Sequence, residues 1–255
     1  VCSCFSCCVW DWNFKRIILE SNDQQKTVDL SAGVVSVDYY EDLFSPTVTA
    51  KVTVINTGDS IPGKEDDRKF QSIYNGLPLR GGERLRMYIV DRGTGKNGEE
   101  KEGLDFGSTS DKYLFVSSIT NVIVDSSRES FTLNLVSREA ITNETARVVK
   151  KYDKTISSSV TSILENVLKS NKINEVEETA NARYAFIGNL KKPFTTLVWL
   201  ASKAIPNTSS KDATAGFFFY QTQDGFNFRS IDKLIETEPK ATYTYSQVPT
   251  SQVET

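Results

Sequence analysis

What most constrains this chain is a two-residue alternation of apolar and polar side chains that recurs through its first half. Residues 47–55 read TVTAKVTVI, with Val48, Ala50, Val52 and Val54 on one face and Thr49, Lys51 and Thr53 on the other. Side chains of a strand point alternately to opposite faces, whereas a helix would scatter these same residues around its axis. Residues 84–90 set Leu85, Met87 and Ile89 against Arg84, Arg86 and Tyr88. Residues 130–136 set Phe131, Leu133 and Leu135 against Thr132, Asn134 and Val136. Residues 27–37 carry Val28, Leu30, Val34, Val35 and Val37 with a bend at Gly33, and residues 112–124 complete the set. Runs with one wet face each predict antiparallel sheets over residues 13–137.

Two polar segments interrupt this block. Residues 56–71 contain EDDRK, and residues 91–111 contain DRGTGKNGEEKEG, where Asn97 and Gly98 suit a type I′ turn. Both are read as long loops, a length that marks functional or disordered segments. After residue 137 the period changes. Residues 138–151 have helical composition, and Val160, Ile163, Leu164, Val167 and Leu168 make a helical stripe within 157–169, capped by Ser157, Ser158 or Ser159. Residues 171–179 read as a polar loop, and Ala182, Tyr184, Phe186 and Gly188 as a short strand. A second helix starts at Pro193, stops before Pro206 and carries Phe194, Leu197, Val198, Ala201, Ala204 and Ile205 as its apolar stripe. Then AGFFFYQTQ and FNFRSI flank Asp224 and Gly225, the strongest hairpin signal in the chain. Phe217, Phe218 and Phe219 put large aromatics on both faces of one strand. A second layer, from the same chain or another subunit, must therefore cover Phe217, Phe218, Phe219, Phe226 and Phe228.

Composition narrows the chemistry. The 255 residues include no His, which removes Ser–His and Cys–His nucleophiles and His-ligated zinc. A formal charge of −3 argues against binding nucleic acid through phosphate neutralisation. Cys2, Cys4, Cys7 and Cys8 sit together at the start, where bridges would close only tiny loops and no distant second pair exists to complete a zinc site. The first residues lack a basic leader and cleavage site, and no run reaches the ~18 apolar residues of a membrane span. The carboxylate neighbours Glu41 and Asp42, Asp66 and Asp67, and Glu177 and Glu178 lie in polar stretches and are expected to be solvated rather than catalytic. Asp23 to Asp29 lacks the ligand pattern of a calcium loop. The GTGK at 93–96 lacks the Ser/Thr and the helix of a phosphate loop. No catalytic, cofactor-binding or metal-ligating residue is assigned, and no cofactor is expected.

The order of the pieces resembles a known family. YYEDLFSPTVTAKVTV, YNGLPLRGGERLRM, SSSVTSILENVLK, KKPFTTLVWLASKAIP and AGFFFYQTQDGFNFRSIDKL follow one another as they do in baseplate central hub proteins of contractile-tailed phages, T-even-like and cyanobacterial myoviruses among them. Hub proteins of contractile injection systems are related to these. The matching positions are Leu197, Leu200, Ala201, Phe217, Phe218, Phe219, residues 226–229 and residues 231–234. The Cys-rich start does not fit the pattern. Hubs usually continue past the hairpin, so Thr255 is expected to end a fragment.

The resemblance implies a mainly β fold with a few helices (α+β), made of tube-like antiparallel β-barrel or sandwich domains. Residues 1–12 are expected to lie outside the fold, 13–150 to form a first tube-like domain, and 151–235 to supply the helix pair and hairpin of a second, with interleaving left open. Residues 236–255 are a tail or the start of a further region. The implied role is structural, not enzymatic: a homotrimeric virion ring in the tail baseplate, assembled in the host cytoplasm. It would adapt a six-fold tail tube ring to a three-fold central spike and meet baseplate wedge or other tail proteins, with DNA only as passing cargo. Asp66, Asp67, Arg68, Arg92, Lys96 and Lys101 are the candidate inter-ring contacts. The alternatives, in order, are a tail tube or tube-terminator ring protein, a ligand- or glycan-binding β module, and a carboxylate enzyme.

Overall fold

The alternating runs all become strands. The computed structural model describes residues 3–8, 12–57, 61–62, 70–77, 79–94, 100–107, 112–125, 128–180, 183–207 and 216–238. Strands β1 (Ser3–Cys8), β2 (Trp12–Glu20), β3 (Thr27–Asp29), β4 (Val34–Glu41) and β5 (Thr49–Thr57) come first. A short pair follows, β6 (Ile61–Pro62) and β7 (Phe70–Gln71), with helix α1 (Ile73–Gly76) after it. Then come β8 (Arg84–Thr94), β9 (Glu100–Phe106), β10 (Leu114–Val124) and β11 (Arg128–Ser137). Nine of these form one sheet in the order β1-β4-β5-β11-β10-β8-β2-β3, with β9 also on β8. Every pairing in it is antiparallel.

The sheet curls around its apolar face. Tyr39 of β4 meets Phe106 of β9 with ring centroids 5.5 Å apart, although no ladder joins those strands. Val52, Leu85, Met87, Ile89, Phe131 and Leu133 all lie in this one core. Each such side chain contributes roughly 1.5–3 kcal/mol relative to exposure. The bend at Gly33 is confirmed and has a cause: Ile55 N–H donates to the Gly33 carbonyl at 2.8 Å, and a Cβ there would stand 2.6 Å from the Ile55 oxygen.

Two sequence expectations for this half are corrected. Residues 91–111 are not one long loop. β8 runs on to Thr94, and Glu100–Phe106 is a strand on it, with Leu104 and Phe106 buried. The turn expected at Asn97 and Gly98 lies outside the described residues. The Cys-bearing start, expected outside the fold, forms β1 on the edge of β4. An edge strand offers a row of backbone donors and acceptors that any extended segment can take up.

The second half gathers around its own core. It comprises α2 (Arg138–Thr145), β12 (Lys151–Tyr152), α3 (Ile156–Asn166), β13 (Ile173–Val176), β14 (Phe186–Ile187), α4 (Pro193–Ala201), β15 (Phe217–Thr222), β16 (Gly225–Ser230) and α5 (Ile231–Glu236). Ile156, Val160, Ile163, Leu164, Leu197, Leu200, Phe219, Phe226 and Phe228 build that core. Helical composition to residue 151 overshoots. α2 ends at Thr145, and Val148, fully buried, bridges to Lys191 instead. The cap of α3 is Thr155, whose Oγ1 accepts from Ser158 N–H, and it lies ahead of the expected caps Ser157, Ser158 and Ser159. Residues 173–176, expected in a polar loop, form β13 parallel to β16. On α4, Val198 faces solvent and so does Ile205 beyond it, while Leu200 takes the buried position.

Candidate functional site

The β15–β16 hairpin is where the two cores meet. Its two-residue turn is Gln223–Asp224, because Thr222 pairs with Gly225, one residue earlier than the Asp-Gly reading placed it. Phe217, Phe219, Phe226 and Phe228 all point into the second core, where Phe219 stacks on Phe226 at 5.6 Å. Alternation then sends Phe218 to the other face, where it meets Phe44 edge-on at 5.5 Å. Phe44 precedes β5 of the first sheet and is 78% exposed, so this contact covers only one side of the Phe44 ring.

Polar bonds lock the hairpin tip to the first sheet. Val48 N–H, buried, donates to Gln221 Oε1 at 3.2 Å. Gln223 N–H donates to Glu41 Oε1 at 2.6 Å, and Asp105 N–H donates to Gln223 Oε1 at 3.4 Å. The same Glu41 oxygen accepts from the Tyr39 hydroxyl at 2.9 Å. Burial first, and then the Glu41 carboxylate, push the Tyr39 phenol far above its usual value. Gly225 is required at its position: its φ is +143°, and a Cβ would stand 2.6 Å from the Lys172 carbonyl. On the outer face, Glu175 pairs with Arg229 at 3.0 Å and with Lys233. Burial raises the Tyr220 hydroxyl there against the pull of Arg229.

The carboxylates are the main departure from the sequence reading. Glu41 is a structural acceptor, not a solvated member of a pair, and Glu177 accepts from Ser230 N–H at 2.7 Å and its hydroxyl at 2.9 Å. Sequence reasoning passed over Glu83 and Glu129, both buried. Glu129 accepts from Ile73 N–H at 2.7 Å, Tyr74 N–H at 3.2 Å and Asn56 Nδ2 at 2.8 Å. Glu83 accepts from the Arg80 and Gly81 amides and so shapes the RGG turn ahead of β8. Glu83 and Glu129 each stand one residue ahead of an alternating run, 84–90 and 130–136, so the signal available was an acid in phase with the apolar face. Of the expected contact residues, Asp66, Asp67, Arg68 and Lys96 lie outside the described residues. Arg92 lies on β8 and Lys101 on β9, adjacent strands of one hairpin.

Exposed apolar groups mark two surfaces. Ile55, Ser130 and Ile123 share one rung across β5, β11 and β10. Opposite residues of a rung point to the same side. Ile55 is 46% and Ile123 67% exposed, and Val35 on neighbouring β4 is also exposed. On the second half, the tight turn at 188–191 holds Asn189 and Leu190 at φ +49° and +56° and presents Leu190 to solvent. A bulky residue at positive φ is a strained choice, and such strain collects where a surface has a task.

The fold and these surfaces define a mainly β α+β protein, a curled antiparallel sheet clamped by the hairpin of a helix-bearing second core. No protein-family model matches the sequence, and no curated protein matches it. Among solved structures it is similar to a 43 kDa tail protein of a Shewanella oneidensis prophage, at 12% identity and a TM-score of 0.48, over 84% of this chain and 54% of that one. It is similar to a tail protein of Neisseria meningitidis at 8% identity and a TM-score of 0.47, over 86% and 50%. An Escherichia coli type VI secretion system component, described as structurally similar to T4 bacteriophage tail proteins, gives 10% identity and a TM-score of 0.39, over 82% and 48%. The chain thus spans about half the length of the solved chains it matches.

Proposed function

We infer that the chain is a structural, non-catalytic component of a phage-type tail, and within it a baseplate hub that forms a trimeric ring. The order of the sequence motifs supports the hub reading. The observation that carries an assembly role is the exposed Ile55–Ser130–Ile123 rung on the outside of a curled sheet. Exposed apolar side chains grouped on one sheet face favour contact with a neighbour. A ring closes such heterologous contacts without leaving an open end. In this reading the ring joins a six-fold tube to a three-fold spike, with the β8–β9 hairpin and the segment around Asp66, Asp67 and Arg68 reaching the adjoining rings and DNA passing through the lumen.

The test is the mass of the purified particle by light scattering together with averaged end-on images. A trimer with six similar lobes around a pore, lost on I55K or I123D while the melting temperature holds, is the expected result. A six-chain ring would replace the hub by a tube or terminator protein. A monomer with saturable glycan binding would replace both by a binding module.

A further inference from the structure

The turn at 188–191 belongs to a face that is apolar and cationic at once. In the small sheet of β12 and β14, Lys151 stands opposite Ile187 and Tyr152 opposite Phe186. The Tyr152 and Phe186 rings stack at 5.0 Å on the core side, so Lys151 and Ile187 point outward. Val148 is buried, which sends its neighbour Val149 outward as well. Leu190 N–H donates to the Val148 carbonyl at 3.1 Å and brings the turn beside Val149. Val149, Ile187 and Leu190 are each at least 60% exposed. Around them, residues 147–154 and 183–192 carry seven Lys or Arg and one Asp, within a chain of net charge −3. Lys192 pairs with Glu144, and Arg183 with Asp153. Among the described residues, Lys150, Lys151 and Lys191 meet no carboxylate, and Lys191 lies 5.8 Å from the centre of the Trp199 ring.

A face of the opposite sign lies where the hairpin tip meets the first sheet. The Gln223 N–H bond to Glu41 brings exposed Asp224 to the end of β4. Asp42 and Phe44 follow directly, and Asp42 Oδ1 accepts from Phe44 N–H at 2.9 Å, which fixes the turn that presents the ring. Phe218 covers one side of the Phe44 ring and leaves the rest open. Among the described residues, Glu41, Asp42 and Asp224 form no ion pair. Each face is thus an open apolar group among charges of one sign. Two basic faces, or two acidic ones, would set like charges together, so neither face suits a two-fold contact with itself.

We propose a head-to-tail contact between two copies of this chain, in which Phe44, Glu41, Asp42 and Asp224 of one copy seat on the Val149–Ile187–Leu190 face of the next, against its Lys150, Lys151 and Lys191. The two faces match in both respects. Three carboxylates meet three ammonium groups, and an aromatic ring meets three aliphatic tips. The aliphatic groups and Phe44 form the dry centre, and the lysines lay their methylenes along its rim with their charges outward. A contact that uses two different patches leaves one of each free on the end copies, and a closed ring satisfies both. The inference therefore rests on the ring reading, to which it adds a charged contact beside the apolar rung.

The experiment is sedimentation of the intact chain over a concentration series, at low and at high salt, for the parent, K150E/K151E, D42N/D224K and F44A. Each variant alone should self-associate about tenfold or more weakly than the parent, and salt should weaken the parent's association. All the altered side chains are at least partly exposed, and unchanged melting temperatures check that the fold holds. Mixing K150E/K151E with D42N/D224K in equal amounts should restore association, because each supplies a face that complements the other's. E165K, an exposed reversal on α3 outside both faces, should behave as the parent does. Recovery on mixing is the readout that a merely weakened fold would not give. A trimer that ignores these variants yet is lost on I55K overturns this contact and leaves the ring standing. An assembly of another size, dispersed by the variants and recovered on mixing, keeps the contact and overturns the trimer. A parent that stays monomeric at every concentration overturns both.

Discussion

Replacing Gln221 by leucine tests whether the hairpin clamp joins the two cores. The substitution keeps the side-chain volume and removes the oxygen that accepts from Val48 N–H at 3.2 Å. Both residues are buried, at 4% and 1% exposure, so no water replaces the lost acceptor. An unpaired buried amide costs about 1–3 kcal/mol. At a urea slope of roughly 3 kcal/mol per M, the unfolding midpoint should fall by about 0.3–1 M. With Trp10 and Trp12 replaced by Phe, Trp199 reports the second core by fluorescence, and with Trp10 and Trp199 replaced by Phe, Trp12 on β2 reports the nine-stranded sheet. The two signals should coincide in the parent and separate in Gln221→Leu, because coincident transitions are the mark of one cooperative unit. Hydrogen exchange gives the local readout: the Val48 amide should lose about tenfold or more of its protection. An unchanged midpoint together with intact Val48 protection would show that the clamp does not hold the cores.

Three further predictions rest on single groups. Gly225→Ala forces a Cβ to 2.6 Å from the Lys172 oxygen and threatens the Phe226 N–H bond to that same carbonyl; strain of ~1–3 kcal/mol plus a bond worth ~1 should lower stability by about 2–4 kcal/mol, read from denaturant midpoints. Glu129→Ala leaves the Ile73 and Tyr74 amides without their acceptor and should cost about 2–6 kcal/mol at ~1–3 per amide, whereas Glu129→Gln keeps one acceptor oxygen and should lose less; equal losses in the two variants would count against the reading. Tyr39 makes stability depend on alkaline pH. Its folded value is raised above the ordinary 10.0, so stability is fully present below that pH, and above it the unfolded chain releases its proton first. Stability should then fall by up to ~1.4 kcal/mol per pH unit, and Tyr39→Phe should flatten that slope in midpoints measured from about pH 8 to about pH 11.

How far the sequence revealed this fold depended on whether a residue's role was set by its neighbours in sequence or by its neighbours in space. The strand at 49–57 and the helix after Pro193 were legible because each carries its own period and, for the helix, its own start signal. β9 was not: Glu100, Lys101, Glu102 and Gly103 read as loop, yet β8 supplies an open edge that the segment pairs with, and only Leu104 and Phe106 need burial. β13 is the same case, drawn into a strand by the parallel edge of β16. The phase of the hairpin was right and its turn slipped by one, since Gly225 serves the close approach of Lys172 and not the turn itself. The acids show the limit most clearly. Glu41 and Glu129 look solvated in any local window, and what engages them is a set of backbone amides from segments far away in sequence, Gln223 for half-buried Glu41 and Ile73 and Tyr74 for buried Glu129.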